Sequence, residues 1–224
     1  SGAMNEVTTL AHELGHAFHS ELLWDLPYVR QRYAMNVAEP ASTFAELVTM
    51  DAVIQEAKTP EEQLSYLDTK LQNALAMFMN IHARFIFETN FYEQRKQQFI
   101  PPEQISELML AAQKEAFQDS LASYHPHFWA SKLHFYIDEL SFYNFPYTFG
   151  YLFSIGIYQL AKEDPETFED RYIALLKDTA SMSTEDLARK HLNVDLTQTE
   201  FWHQAIDQVE RDVRQFLELS EALI

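Results

Sequence analysis

The scarcity of glycine is the feature that most restricts what this chain can fold into. The 224 residues include only four glycines, at positions 2, 15, 150 and 156. Glycine-rich loops that hold nucleotide phosphates are therefore excluded. Eight prolines instead separate stretches whose apolar residues recur at helical spacing, and segments typical of strands are almost missing. The sequence predicts an all-α domain of about eight helices.

Several helix starts can be located from their residue types. Thr59 precedes Pro60 and two glutamates, which places a capping residue, a first-turn proline and acids at the positive end of a helix dipole. This pattern predicts a long helix from Pro60 to about Gln98. The same pattern predicts further helix starts at Pro102, Pro165 and Thr184.

Composition limits the chemistry and the partners. The chain has no cysteine, so a metal ion would have to bind histidine, aspartate, glutamate or water. A hydrophobic fraction of 47% is enough for one well-packed core. The net charge of −18 disfavours nucleic acid and anionic membrane surfaces as partners. No apolar run approaches the ~20 residues that span a bilayer, and we expect a cytoplasmic location.

The start of the chain favours a fragment. Residues 1–4, SGAM, are typical of a remnant left by cloning, and a possible metal motif begins only eight residues later. An enzyme with its chemistry so close to its start would ordinarily need more scaffold upstream. We therefore expect residues 5–224 to be the C-terminal catalytic domain of a longer protein, and the missing upstream part to be a partner.

The motif with the most chemical content is residues 12–16, HELGH. In a helix, residues four apart share a face with Cβ atoms roughly 5–6 Å apart, so His12 and His16 could bind one zinc ion. Glu13 would project close enough to take a proton from a zinc-bound water, which is a general-base position. The ordinary alternative is a pair of surface histidines on an amphipathic helix.

A catalytic zinc site needs a third protein ligand and an open position. The metzincin pattern would place glycine at position 19 and histidine at position 22, but these are His19 and Leu22. A carboxylate from another helix is the remaining choice, and segment 36–46, NVAEPASTFAE, supplies two about two turns apart. We predict Glu39 as the ligand and Glu46 as the group that orients a ligand histidine through its other ring nitrogen.

Three segments together resemble the M3 family of oligopeptidases, in particular its oligoendopeptidase F branch. The first is residues 12–19, HELGHAFH, similar to the metal-binding helix of that family. The second is residues 37–46, similar to the segment of the third ligand. The third is residues 134–151, HFYIDELSFYNFPYTFGY, similar to a histidine and tyrosine loop that faces the substrate. The resemblance extends over essentially all of the chain after residue 4.

This resemblance implies an all-α, zincin-like domain that binds one zinc ion per chain and hydrolyses oligopeptides. Its implied zinc ligands are His12, His16 and Glu39, and its implied general base is Glu13. His19 would lie near the zinc without binding it. The resemblance further implies three residues of the tyrosine loop that act on the substrate: His134 together with Tyr143 or Tyr147, which stabilise the tetrahedral intermediate, and Tyr151, which binds substrate.

Two alternatives remain open from the sequence alone. Glu13 with His16, and Glu200 with His203, both have the Glu-x-x-His form of di-iron carboxylate bundles, so a helical oxidase is possible. That interpretation leaves His12 and the tyrosine loop without a role. The other alternative is a helical interaction module without catalysis. One zinc per chain, two irons per chain or no metal would separate the three hypotheses.

Overall fold

The described part of the chain is built from helices. The computed structural model describes residues 4–223, apart from the side chain of Asn5. In that range there is no strand, which confirms the predicted all-α class, and no helix is both long and apolar enough to span a membrane. The cloning remnant predicted at residues 1–4 falls mostly outside the described residues, and Met4 is the first residue of α1. The α-helices are α1 (Met4–Leu23), α2 (Pro40–Glu56), α3 (Pro60–Leu75), α4 (Ile81–Arg95), α5 (Pro102–Ala116), α6 (Phe145–Glu163), α7 (Pro165–Asp178), α8 (Thr184–Leu192) and α9 (Glu200–Leu223).

The predicted helix starts at Pro102, Pro165 and Thr184 are confirmed, and the last two have side-chain caps. Asp164 caps α7, and its side chain accepts a hydrogen bond from the N–H of Thr167. Ser183 caps α8, where its hydroxyl accepts the N–H of Asp186 at 3.2 Å. These contacts satisfy backbone donors that have no partner within the helix. Helix α5 begins at Pro102, as the sequence predicted.

The long helix predicted from Pro60 to about Gln98 is interrupted in one place. A π-helical segment, Ala76–Asn80, separates α3 from α4. A π turn changes the backbone pairing inside a helix, so a carbonyl group can accept a bond from elsewhere. The carbonyl oxygen of Met77 accepts such a bond from the hydroxyl of Thr148 at 2.7 Å. Hydrophobic spacing alone does not reveal this change of period.

Contacts between residues divide the chain into two compact units. Unit 1 contains the described parts of residues 1–72 and 149–224, and unit 2 contains residues 73–148. Unit 1 is assembled from two segments far apart in sequence, an arrangement that no local pattern indicates.

Unit 1 has an extended apolar core and a buried ionic cluster. Its core includes Phe153, Ile157 and Leu176, none of which is exposed. The ammonium group of Lys70 lies 2.8 Å from Asp51 and 2.8 Å from Asp212, although Lys70 is only 8% exposed. Burial lowers the pKa of Lys70, but the two carboxylates outweigh it and raise the pKa overall. These ion pairs join α2, α3 and α9.

Unit 2 has a smaller core made mainly of aromatic rings. Phe87, Met109 and Ala112 are its buried centre, on α4 and α5. The ring of Phe87 packs against Phe135 with centroids 5.0 Å apart. Two short 3-10 helices, Phe128–Ser131 and Leu133–Tyr136, supply further apolar side chains to this core.

Candidate active site

The two histidines of the HELGH motif meet on one face of α1. Both are about one-third exposed at the side chain, and their Nε2 atoms lie 3.1 Å apart. Gly15, between them in sequence, faces α2 at very short range. A Cβ atom at this position would lie 2.5 Å from the carbonyl oxygen of Ala41. Glycine therefore lets α1 and α2 pack closely enough for the first residues of α2 to reach the histidines.

Glu39, the third predicted ligand, lies close to both histidines. It occupies the N-cap position of α2, and its side chain does not cap the helix. Its Oε2 atom lies 3.5 Å from Nε2 of His12 and 3.5 Å from Nε2 of His16. The hydroxyl of Ser42 donates a hydrogen bond to the backbone carbonyl of Glu39 at 2.8 Å and contacts Oε2 at 3.1 Å. Ser42 thus restrains the carboxylate of this predicted ligand.

The spacing of these three atoms fits a single small cation. Two ligand atoms bound about 2.0–2.1 Å from one zinc ion at the tetrahedral angle lie roughly 3.3 Å apart. The observed separations of 3.1, 3.5 and 3.5 Å match that value. Among residues 4–223, this is the only group of three or more histidine, aspartate or glutamate side chains close enough to hold a metal. The donor set of two imidazoles and one carboxylate suits zinc and leaves a fourth position open.

Glu46 fixes the orientation of His12. Its Oε1 atom lies 2.5 Å from Nδ1 of His12, and because a carboxylate only accepts hydrogen bonds, Nδ1 carries the proton. The Glu46 hydrogen bond is also the largest cause of the raised pKa of His12. With Nδ1 protonated, the lone pair of the neutral ring lies on Nε2, the atom that faces His16 and Glu39. A carboxylate in this position is a common way to orient a metal-binding histidine.

Glu13 is exposed next to the ligand pair. It follows His12 directly on α1, so its side chain leaves the helix about 100° away from that of His12. An exposed carboxylate at this position can accept a proton from water without serving as a ligand.

The predicted substrate-facing residues of unit 2 form their own cluster. The ring of His134 stacks on that of Tyr143 with centroids 4.9 Å apart and lies edge-on to Tyr147 at 6.1 Å. All three side chains are half-buried. Burial lowers the pKa of His134, and the nearby positive charges of Arg84 and Lys132 lower it further. His134 is therefore neutral at neutral pH and can donate a hydrogen bond through one ring nitrogen.

Two of the predicted site residues have buried side chains in unit 1. His19 is fully buried, and its Nε2 atom contacts the carbonyl oxygen of Leu176 at 3.2 Å and the hydroxyl oxygen of Thr179 at 3.0 Å. It stacks on Tyr33 and joins α1 to the end of α7, and its place near the zinc without binding it stays a prediction. Tyr151 is 2% exposed and lines an interior cavity beside Lys70. At this exposure little of its surface is available to a substrate, and its predicted contact with substrate stays a prediction.

Ser42 and Gly150 are parts of this site that sequence reasoning missed. Ser42 contacts the Glu39 carboxylate. It is the third residue of the helix that begins directly after Glu39, and this short separation in sequence could have indicated the contact. Gly150 faces Glu39, where an added Cβ would lie 3.0 Å from the Cβ of Glu39. Nothing local in the sequence connects Gly150 with a residue 111 positions earlier.

Comparison with known proteins agrees with this geometry. Residues 3–208 match the model of peptidase family M3, so the chain belongs to that family. It is 24% identical to the chromosomal oligoendopeptidase F of Lactococcus lactis subsp. cremoris, over 98% of this chain and 36% of the relative. It is 25% identical to oligopeptidase PepF of Bacillus subtilis strain 168, over 88% of this chain and 29% of the relative.

A solved structure gives the same result for the fold. The crystal structure of oligoendopeptidase-F from Enterococcus faecium superposes with a TM-score of 0.78 at 21% identity, covering 98% of this chain and 40% of that chain. The resemblance to the oligoendopeptidase F branch is therefore confirmed. The chain spans about a third of the length of the curated relatives that it matches.

Proposed function

We propose that this chain is the catalytic part of a zinc-dependent metalloendopeptidase that hydrolyses peptide bonds in oligopeptides. The observation that carries the proposal is the convergence of His12, His16 and Glu39 at separations suited to one tetrahedral ion. Membership of peptidase family M3 supports the reaction class, and the named activity of the relatives supports oligopeptides as substrates.

In this proposal, His12, His16 and Glu39 hold the zinc ion, and Glu46 keeps His12 in the tautomer that binds metal. Bound zinc would act as a Lewis acid and lower the pKa of a water molecule. Glu13 takes a proton from the attacking water as its oxygen bonds to the carbonyl carbon. Glu13 then delivers that proton to the amide nitrogen as the carbon–nitrogen bond breaks. Water is thereby divided between the new carboxyl group and the new amine.

The cluster of His134, Tyr143 and Tyr147 is proposed to supply hydrogen-bond donors to the carbonyl oxygen. Negative charge develops on that oxygen during attack, and a positioned donor stabilises it. A tyrosine hydroxyl and a neutral histidine N–H are both suitable donors. The choice between Tyr143 and Tyr147 as the main donor stays open, and single Phe substitutions compared by kcat would decide it.

The direct test combines metal content with hydrolysis of a quenched oligopeptide by the full-length protein. We expect one zinc per chain, lost on replacement of His12, His16 or Glu39 by alanine. Glu13→Gln should keep the zinc and lower kcat/KM by about 10²–10⁴. Glu21→Gln, a change at an exposed glutamate of the same helix, is the matched control. Near-normal turnover by Glu13→Gln would reject the proposed base.

The 224-residue chain itself should fold and bind zinc but cleave peptides weakly. The metal ligands lie within residues 12–39, so their geometry depends on local packing of α1 and α2. Misplacement of the peptide by about 1 Å can lower the rate ~100-fold, and the proposal assigns part of the substrate positioning to the upstream region. Equal kcat/KM for this chain and the full-length protein would show that the upstream region is dispensable.

The di-iron alternative finds less support. Glu200 and His203 are both exposed on α9, and no second metal-binding group is present among the described residues. Two irons per chain in the metal assay would favour that alternative, and absence of any metal would favour an interaction module.

A further inference from the structure

A second cavity lies in unit 2, and none of its lining residues belongs to the predicted metal centre or tyrosine cluster. It has a volume of about 270 Å³ and lies among α4, α5 and the segment 128–136. Pockets for whole drug-sized ligands usually measure ≈ 300–1,000 Å³, so this cavity suits a single side chain. Tyr136, 54% exposed, lies at its border. Its lining residues are Phe87, Glu88, Phe91, Tyr92, Ile105, Trp129, Phe135 and Tyr136.

One charged group lines this otherwise apolar cavity. Glu88 is 3% exposed, and its Oε1 atom accepts a hydrogen bond from the backbone N–H of Phe142 at 2.8 Å. Its other oxygen, Oε2, is buried and has no partner at standard hydrogen-bond distance and angle among the described residues, although the side chains of Asn144 and Tyr92 lie close enough to stabilise the carboxylate. A buried carboxylate oxygen that lacks a well-aligned donor costs free energy, so a further donor in the cavity would stabilise it.

We propose that this cavity binds the basic side chain of a peptide, with its guanidinium or ammonium group on Glu88. The charge of Glu88 favours a cation over a neutral apolar group. The aromatic walls strengthen that preference, because the faces of tryptophan, tyrosine and phenylalanine rings attract cations within about 6 Å. Arginine is the better match, since its planar group can stack on a ring while donating hydrogen bonds.

The local electrostatics agree with such a ligand. Burial raises the pKa of Glu88, while hydrogen bonds from the backbone N–H of Phe142 and from the side chains of Asn144 and Tyr92 favour the charged form. A cation entering the cavity would stabilise the carboxylate further. That the ligand is a peptide rests on the proposed function, whereas the selection for positive charge rests on the cavity alone.

The test compares N-acetyl-arginine amide with N-acetyl-citrulline amide, which has almost the same shape but no charge. Binding to the 224-residue chain is measured in EDTA, so it does not depend on zinc or hydrolysis. The readout is the indole N–H resonance of Trp129, whose Nε1 donates to Ser106 at 3.3 Å. Trp24 and Trp202 belong to unit 1 and serve as internal references.

We expect the arginine amide to bind at least about tenfold more tightly than the citrulline amide, a difference of 1.4 kcal/mol, and to shift only the Trp129 resonance. Glu88→Gln should abolish the preference, while Glu107→Gln, a change at an exposed glutamate of α5, should preserve it. Equal affinity for the two amides, no saturable binding at millimolar concentration, or an unchanged preference in Glu88→Gln would overturn the proposal. The comparison of amides uses the unaltered protein, so it stands even if Glu88→Gln fails to fold.

Discussion

The two units differ in how completely their buried polar groups are paired by hydrogen bonds and ion pairs. In unit 1, Lys70 is surrounded by carboxylates, and the predicted metal ligands are held by Ser42 and Glu46. Unit 2 is about half as long, yet it contains four of the six buried side-chain polar atoms that lack a partner in the described structure. The four belong to Glu88, Thr89, His134 and Asn144. The other two, in unit 1, belong to His19 and Arg171. A buried group held by charged partners is fixed in place, whereas a buried oxygen that lines a cavity without a well-aligned donor, as in Glu88, is available to a ligand.

The largest effect should follow from breaking a pair in unit 1. Lys70→Met leaves Asp51 and Asp212 buried without their common cation, which should lower the free energy of unfolding by about 3–5 kcal/mol. Lys162→Met is the control, because Lys162 also contacts Asp51 but its side chain is 42% exposed. That change should cost about 1 kcal/mol or less. Urea unfolding of the two variants measures both values, and equal losses would contradict the difference in burial.

His19 should make unit 1 sensitive to acid. Burial lowers its pKa from 6.5 to about 4, opposed by its hydrogen bond to the carbonyl of Leu176. Between these values the unfolded chain binds more protons than the folded chain, so stability falls as pH decreases from 6.5 to about 4. The loss reaches about 3 kcal/mol. Urea unfolding in EDTA at several pH values should show this slope reduced in His19→Gln and unchanged in His82→Gln, a change at an exposed histidine.

Gly15→Ala tests whether close packing of α1 and α2 positions the predicted metal ligands. The new Cβ would meet backbone atoms of Ala41 and Ser42 at 2.5 Å, so α1 and α2 must separate. We expect a loss of about 1–3 kcal/mol in stability and at least about tenfold weaker zinc binding, because Glu39 moves away from the histidines. Ser20→Ala changes an exposed residue of the same helix and should alter neither quantity. Unchanged zinc affinity in Gly15→Ala would show that the close approach of α1 and α2 is not needed to position the predicted ligands.

Glu88→Gln in unit 2 should have the smallest effect on stability. The amide keeps an oxygen for the N–H of Phe142 and removes a buried charge with an unpaired oxygen. We therefore expect a change near zero or a gain of up to about 1 kcal/mol. Thermal unfolding of the ligand-free protein measures it. A loss of several kcal/mol would mean that Glu88 is structurally paired, and the contrast between the units would weaken.

The sequence by itself determined the local features of this protein. The fold class and the starts of α5, α7 and α8 followed from proline, capping residues and apolar spacing, because these signals act within a few residues. The shared face of His12 and His16 followed from the helical repeat. Glu39 and Glu46 were selected from a short segment whose helical start was readable. Glu46 contacts Nδ1 of His12, while Nε2 of the same ring faces His16 and Glu39.

Only the tertiary structure decided which distant residues surround these features. His19 lies one turn from His16 on α1, but its side chain is buried against the carbonyl of Leu176 on α7. Tyr151 is buried beside Lys70. The contact of Gly150 with Glu39 and the unpaired oxygen of Glu88 likewise depend on packing. A helix pattern specifies which side chains share a face. It does not specify what that face meets, because burial and pairing are set by contacts between segments far apart in the chain.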